Sequence, residues 1–409
     1  MGRRGGRVAG LDLGTAKTCV MVGAVSERGI EVVGLGTAPS RGLRKGAIVH
    51  VDSTVAAIRK AIAEAELMAG CEIRHVTVSI GGTHVRGLTS HGVVAVRGGE
   101  VSSGDVGRVL EAARAVALPN DREVLHVLPQ EYVIDDQEGI KEPIGIAGVR
   151  LEAKVHIITS QVAAAHNVVK CCRQAGLGVD DIVLGALAAA DAVLTPEEKD
   201  LGVALVDIGG GTTEIMIFHG GAVRHTVTLP LGGAHLTNDI AAGLRTPTVE
   251  AERIKQRFGC ARAAEVERHT TIEVPSVSDR EPHLLSRHVL CEIIEPRVEE
   301  ILTLVSRELI RSGLERSLAS GVVLTGGTAL LAGIAEVAEA VLRLPVRIGV
   351  PHHVTALADL VASPIYATAV GLVIAGGSGG QPVRTMAARD DGLIGRVRQR
   401  MVEWLRDFF

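Results

Sequence analysis

The chain has 409 residues, a hydrophobic fraction of 46% and a formal net charge of −4. That length exceeds what one core usually fills, so two or more domains are expected, and the charge balance excludes a general nucleic-acid binder. Six cysteines without CxxC spacing and fifteen histidines without HExxH exclude a disulfide framework and a zinc-protease centre, and point to reduced thiols in a cytoplasmic protein.

Taken in chain order, Arg3, Arg4 and Arg7 precede an apolar run too short for a signal peptide, so no secretory leader is expected. Residues 8–13 read as a buried strand with Asp12 near its tip. Gly14, Thr15, Ala16, Lys17 and Thr18 then turn the chain into CVMVGAV, its hairpin partner. A third strand is expected over 30–36, and Asp52 and Ser53 offer an N-cap for a helix reaching about residue 68. HVTVSI, residues 75–80, alternates as a strand does, which completes a mixed sheet with helical cover. Between 81 and 159 the texture changes. Strands over 93–96, 124–133, 149–151 and 155–158, with a helix over 103–117, read as an inserted α+β subdomain. A helix over 161–174 and a strand over 179–184 lead into GALAAADAVL, residues 185–194. This small-residue helix suits close packing between two lobes or an ordinary alanine-rich core.

The stretch LGVALVDIGGGTTEIMIF, residues 201–218, organises the rest. Gly209, Gly210 and Gly211 permit a tight turn whose bare N–H groups, with Thr212 and Thr213, can close around a phosphate. Asp207, at the strand tip, can hold a cation through water. A strand follows, which excludes a P-loop and a dinucleotide fingerprint. Either hairpin alone could be an ordinary glycine turn. As a matched pair, roughly 195 residues apart, they point to a duplicated fold with a nucleotide phosphate between its halves. Thr246-Pro247 then opens a helix that Gly259 closes, with Glu252 and Lys255 on one face. A long helix over 286–309 is expected to break at Pro296. VVLTGGT, residues 322–328, reads as a strand, a glycine turn (Gly326, Gly327, Thr328) and a helix over 329–342 whose first N–H groups can meet a ligand. PIYATAVGLVI, residues 364–374, is a second small-residue helix matching the first. The best apolar run, residues 365–375, is too short to span a bilayer.

Residues 376–392, opening on Gly376 and Gly377, read as a flexible linker, and Asp390 or Asp391 can cap a final helix. At 3.6 residues per turn, Ile394, Val397, Met401, Trp404, Leu405 and Phe408 share an arc of about 100°. Arg396, Arg400 and Arg406 lie outside it and Arg398 at its flank, where a long side chain can snorkel. Such a helix suits an anionic lipid surface, with apolar burial supplying most of the energy. Docking on its own core is the alternative.

Phosphate hairpin, hinge helix, phosphate hairpin, adenosine turn and second hinge helix, in that order, are similar to the actin–Hsp70–sugar kinase ATPase superfamily. Within it the chain resembles the FtsA family of bacterial cell-division proteins. The resemblance rests on LDLGTAKT, IGGTHVRG, HVLPQEYVID, VDIGGGTTEI, GTPTVEAERIK, EVPSV, IIEPR, VVLTGG and YATAVGL. It implies an α/β, actin-like two-lobed ATPase fold with duplicated mixed sheets, an inserted α+β subdomain in place of the usual fourth subdomain, and a C-terminal amphipathic helix. The implied organisation is subdomain 1A over 1–83 and 161–200, subdomain 1C over 84–160, and subdomain 2A over 201–243 and 319–375. Subdomain 2B would span 244–318, the linker 376–392 and the membrane helix 393–409.

The resemblance also implies ATP and Mg2+. Asp12 and Asp207 would hold the ion through water, and Gly14, Thr15, Ala16, Lys17 and Thr18 would wrap the β-phosphate, Lys17 countering its charge. Gly209, Gly210, Gly211, Thr212 and Thr213 would meet the γ side, Glu252 and Lys255 the ribose, and Gly326, Gly327 and Thr328 the adenosine. Implied partners are further copies in a filament, an anionic membrane through the terminal helix, and later division proteins through the inserted subdomain. The tubulin-like protein FtsZ would present an acidic C-terminal tail to Arg287, Arg297 and Glu300. The implied location is the cytoplasmic face of the inner membrane at the division site. Hsp70-type relatives carry Glu-Pro at the start of the first hinge helix. Here Gly185 and Ala186 stand there, with no local carboxylate in their place, so at most slow hydrolysis is expected and a filament protein rather than an enzyme. The alternatives are an ATP-dependent phosphotransferase or phosphatase of the same fold, or an MreB-like shape filament, a family without this inserted subdomain and tail.

Overall fold

Two sheets carry the fold, and their strands are arranged alike. In the first, Arg7–Leu13, Lys17–Ser26 and Gly29–Pro39 form an antiparallel meander, and His75–Ile80 and Gly178–Leu184 add in parallel beyond the first strand. In the second, Val203–Ile208, Thr213–His219 and Ala222–Leu229 make the meander, and Val322–Thr325 and Val346–Ile348 add in parallel. The leading hairpins close in the same register, Leu13 opposite Thr18 and Ile208 opposite Thr213. Near-continuous apolar runs in these strands reflect burial on both faces, from Cys19 to Val22 and from Ile215 to Phe218. The computed structural model describes residues 6–26, 29–276, 282–352, 354–355 and 357–377, and the expected membrane helix lies outside these described residues.

The hinge helices Gly185–Val193 and Ala367–Gly377 cross between the sheets. Every residue of the first except Asp191 is buried, and Asp191 is held by Lys199 Nζ at 2.7 Å. A Cβ on Gly371 would run into the backbone carbonyl of Ala188, and one on Gly10 would stand 2.8 Å from Leu372 Cβ. Only glycine lets the second helix lie this close to both the first helix and the first strand. The small-residue helices therefore pack the two halves together.

Residues between His75–Ile80 and the helix Val162–Ala175 form the inserted unit. Its four-stranded antiparallel sheet orders Arg86–Ala95, Arg150–Gln161, Arg122–Ile134 and Gln137–Ile140, and Val106, Val109, Leu151, Val155 and Ile157 belong to a core of its own. The strands expected over 149–151 and 155–158 are one strand, Arg150–Gln161. A register shift between Lys154 and Val155 breaks its alternation. The sheet leans on the second lobe, where Gln130 Nε2 donates to Val223 O at 2.7 Å and His156 Nε2 lies 3.0 Å from Thr226 Oγ1.

Other boundaries differ from expectation for local reasons. His50 caps the helix Val51–Ala69 by accepting from the Ser53 N–H, so Asp52 and Ser53 fall inside its first turn. Pro247 is the N-cap of Thr248–Phe258. The helix Arg287–Arg311 runs unbroken through Pro296, because Leu290, Ile294, Val298, Ile301, Leu302 and Val305 form one buried stripe whose packing outweighs a proline cost of about 3 kcal/mol. The glycine turn enters a 3-10 turn, Gly327–Leu330, before the helix Ile334–Leu342. Gly376 and Gly377 close the second hinge helix and are not the start of the linker.

The crossing yields a stability test. Gly371→Ala gains up to about 1 kcal/mol of helix propensity but overpacks Ala188, an effect of about 1–3 kcal/mol. We expect a net loss, read as a lower denaturant midpoint with an unchanged slope. An unchanged midpoint would mean the two helices part freely.

Candidate functional site

The tips of the two hairpins touch. A Cβ on Gly210 would meet Ala16 Cβ at 2.8 Å, and one on Gly211 would meet Thr15 Oγ1 at 2.8 Å, so glycine permits the loops of opposite lobes to close on each other. Thr15 Oγ1 also accepts the Gly46 N–H at 3.2 Å. Thr18 and Thr213, at matching positions, are fully buried and turn away from the loops. Thr18 Oγ1 lies 2.8 Å from Ser40 Oγ, and Thr213 Oγ1 donates to Leu231 O at 2.9 Å. Their hydroxyls fasten the hairpins to the body.

Carboxylates gather beneath the loops. Ser79 Oγ donates to Asp12 Oδ1 at 2.9 Å and accepts the Leu13 N–H at 2.9 Å. Enclosure raises the Asp12 pKa, while the Lys17 charge and the Ser79 hydrogen bond pull it down. Asp207 is pushed up to about 7 by enclosure and by the Asp12 charge, against a hydrogen bond from Thr368. Glu214 stands directly across the hairpin from Asp207. Its Oε1 accepts the Gly82 N–H at 3.0 Å and its Oε2 the Ala186 N–H at 3.2 Å. Burial, then Asp207, push Glu214 up to about 8 despite those two donors. As expected, no carboxylate local in sequence stands at the start of the first hinge helix, but one reaches it through space. Glu214 arrives there from the neighbouring hairpin and takes an N–H group at the helix N-terminus. Its signal lay within VDIGGGTTEI, since residues directly opposite in a hairpin share a face. Ser79 and Thr368 had no comparable signal.

Lys17 Nζ donates to Ile365 O at 2.9 Å and lies 4.1 Å from the centroid of the Tyr366 ring. The glycine turn is close by: Asp207 pairs in register with Thr325, and a Cβ on Gly326, whose φ is +83°, would strike the Asp207 carboxylate. Thr328 Oγ1 donates to Gly209 O at 3.3 Å. The helix Gly233–Leu244, which the sequence reading did not foresee, seats its first N–H groups on the second loop, Gly233 N on Gly209 O at 2.9 Å and Ala234 N on Gly210 O at 2.7 Å. Lys255 Nζ reaches Gly233 O at 3.1 Å, Thr237 Oγ1 at 2.9 Å and Glu252 Oε2 at 2.7 Å. Burial alone would raise the Glu252 pKa, but Lys255 and the hydrogen bonds from Lys255, Thr237 and Gln256 hold it below the ordinary value. Both loops, the glycine turn and the Glu252–Lys255 pair therefore converge.

Asp12 and Asp207 fit a divalent cation electrostatically, since burial raises the pKa of both, the Asp12 charge raises Asp207 further, and a cation would relieve both. Among the described residues no three His, Cys, Asp or Glu side chains are grouped to hold one metal ion. The expected basic face on the second lobe is not a free one. Arg297 donates through Nε to Asp239 Oδ2 at 2.6 Å and through a terminal nitrogen to Oδ1 at 3.0 Å, and it also pairs with Glu300. Arg287 Nε donates to Phe258 O at 2.8 Å.

Comparison with known proteins gives concordant matches. The family described as cell division protein FtsA matches residues 204–371, and the SHS2 domain inserted in FtsA matches residues 82–159. The chain is 55% identical to the cell division protein FtsA of Pseudomonas aeruginosa, over 91% of this chain and 89% of that one. It is 44% identical to that of Neisseria meningitidis serogroup B, over 98% of each. In fold it is similar to a PilM–PilN type IV pilus biogenesis complex, with a TM-score of 0.65 at 18% identity over 90% of this chain and 98% of the other. It is also similar to MreB5 of Spiroplasma citri bound to ADP, with a TM-score of 0.53 at 15% identity over 89% and 94%. The fold is actin-like.

The carboxylates set a pH dependence. A carboxyl whose pKa is raised in the folded chain holds its proton longer there than in the unfolded chain. Its contribution is greatest below the ordinary carboxylate range and is lost as pH rises through the folded values of about 7 and about 8. In chelator, stability should therefore fall between about pH 5 and 8. Asp207→Asn should flatten that fall and exceed wild type at the alkaline end. Parallel curves for the two proteins, from denaturant titrations at each pH, would exclude the assigned cause.

Proposed function

We propose that this chain, which belongs to the FtsA family of cell-division proteins, is an ATP-binding, actin-like filament protein that anchors the FtsZ ring to the cytoplasmic membrane. The observation that carries the reading is sustained identity to FtsA relatives across both lobes, together with the inserted SHS2 unit. A shape-determining filament of the MreB kind has no place for that unit.

In this reading the phosphates lie between Gly14–Lys17 and Gly209–Thr212, where glycine leaves backbone N–H groups bare and Lys17 supplies positive charge. Glu252 and Lys255 face the ribose, and Gly326 to Thr328 the adenosine. An actin-like protein carrying ADP supports a nucleotide here. Asp12 and Asp207 would hold Mg2+, which when bound supplies neutralisation of phosphate charge. Glu214, anchored by the Gly82 and Ala186 N–H groups, faces the γ side and can orient a water and take its proton. Burial raises the proton affinity of this carboxyl, and a cation held by Asp12 and Asp207 would offset their charges and leave it ionised to accept the proton. Slow ATP hydrolysis therefore belongs to the proposal.

No helix among the described residues is long and apolar enough to cross a membrane. Attachment is assigned instead to residues 393–409, whose single-helix binding is reversible and gains avidity when copies polymerise. The FtsZ tail is assigned to the second-lobe face around the helix Arg287–Arg311. An acidic peptide there must share Arg297 with Asp239 and Glu300. Recruitment of later division proteins is assigned to the inserted unit.

Two experiments test this. With ATP and anionic vesicles the protein should co-sediment and form filaments visible by electron microscopy, and Trp404→Glu should release it while ATP binding persists. Failure of wild type to sediment would overturn the membrane assignment, and rapid phosphoryl transfer to a small acceptor would favour the phosphotransferase reading. Separately, Glu214→Gln should lower hydrolysis by about 10²–10⁴-fold with ATP affinity retained. An unchanged rate would remove Glu214 from the chemistry.

A further inference from the structure

The ammonium of Lys17 is held by the opposite half of the molecule. Lys17 begins the second strand of the first lobe's hairpin, whereas Ile365 and Tyr366 belong to the 3-10 turn Pro364–Tyr366 that leads into the second hinge helix. The Nζ–Ile365 O distance is 2.9 Å, and the Tyr366 ring centroid is 4.1 Å away. This turn and the first turn of the helix it leads into touch other parts of the site. Ile365 Cγ2 lies 3.8 Å from where a Gly327 Cβ would stand, Thr325 Oγ1 reaches Pro364 O at 3.5 Å, and Thr368 hydrogen-bonds Asp207.

An ammonium carries three N–H donors. Ile365 O occupies one, and the aromatic face attracts the charge as a whole without needing a directed donor. Two donors remain for phosphate oxygens. Ordering a lysine chain costs side-chain entropy, and here that ordering is already present in the folded protein. We propose that Tyr366, together with the carbonyl of Ile365, is a positioning residue for Lys17. It holds the ammonium where the polyphosphate of a nucleoside di- or triphosphate meets it, and couples that charge to the start of the second hinge helix. The proposal rests on the nucleotide reading above.

The test uses the full chain and two readouts. Competitive acylation with acetic anhydride, read by mass spectrometry without nucleotide, reports Lys17 reactivity directly. Tyr366→Leu should raise it about two- to tenfold relative to Lys60, and Tyr366→Phe, which keeps the ring, should not. In binding titrations Tyr366→Leu should weaken ATP and ADP by about two- to tenfold and leave adenosine unchanged. Tyr366→Phe should match wild type, and in a Lys17→Met background Tyr366→Leu should add nothing. An equal loss for adenosine, the same further loss in the Lys17→Met background, or a gain in ATP affinity would each overturn the proposal. So would unchanged Lys17 reactivity. A wild type that binds no nucleotide overturns the nucleotide reading and this proposal with it, and the acylation result then shows separately whether the Lys17–Tyr366 contact exists.

Discussion

The structure depends on how enclosed negative charge is accommodated where the two lobes meet. Burial raises Asp12, Asp207 and Glu214 alike, the Asp12 charge further hinders ionisation of Asp207, both hinder that of Glu214, and the groups answering them come from elsewhere in the chain. Ser79 comes from a neighbouring strand, Thr368 from the second hinge helix, the Gly82 N–H from a loop and the Ala186 N–H from the first turn of the first hinge helix. A cluster of uncompensated carboxylates destabilises a fold unless it serves something. In the proposed function that something is the cation and phosphates of the nucleotide, so the site's instability alone and its capacity to bind have one electrostatic origin.

That seam can be so tight because glycine and alanine line it. The hinge helices approach until Gly371 faces the Ala188 backbone, and the hairpin tips approach until Gly210 and Gly211 face Ala16 and Thr15. Packed surfaces of this kind slide or separate as units and do not deform gradually. The inserted unit adds a further tie. It leaves the chain within the first lobe, yet its strands bond to Val223 and Thr226 of the second, and His126 accepts the N–H of Leu184, the N-cap of the first hinge helix. A surface assigned to partner recruitment is thereby joined mechanically to the helix that Glu214 also touches.

The differences from the sequence reading share a cause. Pro296 was expected to break a long helix, and local propensity favours that, but a continuous buried stripe on the same helix outweighs it. Asp52 and Ser53 were plausible caps, and the cap is instead His50, a residue whose ring nitrogen happens to reach the Ser53 N–H. Arg297 was read as a free charge for a partner, and Asp239, fifty-eight residues away in the chain, already holds it. Each time a contact of the folded chain, near or far in sequence, overrode the local pattern.

What the sequence by itself determined follows from short-range periodicity and glycine placement. The two Asp–Gly–Thr hairpins, the paired small-residue helices, the glycine turn and the inserted α+β unit were all readable there, because strand alternation, tight turns and close helix packing each restrict which residues fit. Their order along the chain was enough to indicate a duplicated fold and the residues that line its seam. Tertiary structure alone decided which groups complete the site. Glu214 became the carboxylate at the first hinge helix, Thr18 and Thr213 turned inward, and Lys17 came to rest against Tyr366 across the seam. The Glu214 and Lys17 contacts are set by how the two halves pack onto each other, and the two threonine contacts by packing within each half, relations carried by tertiary packing and not by any local pattern.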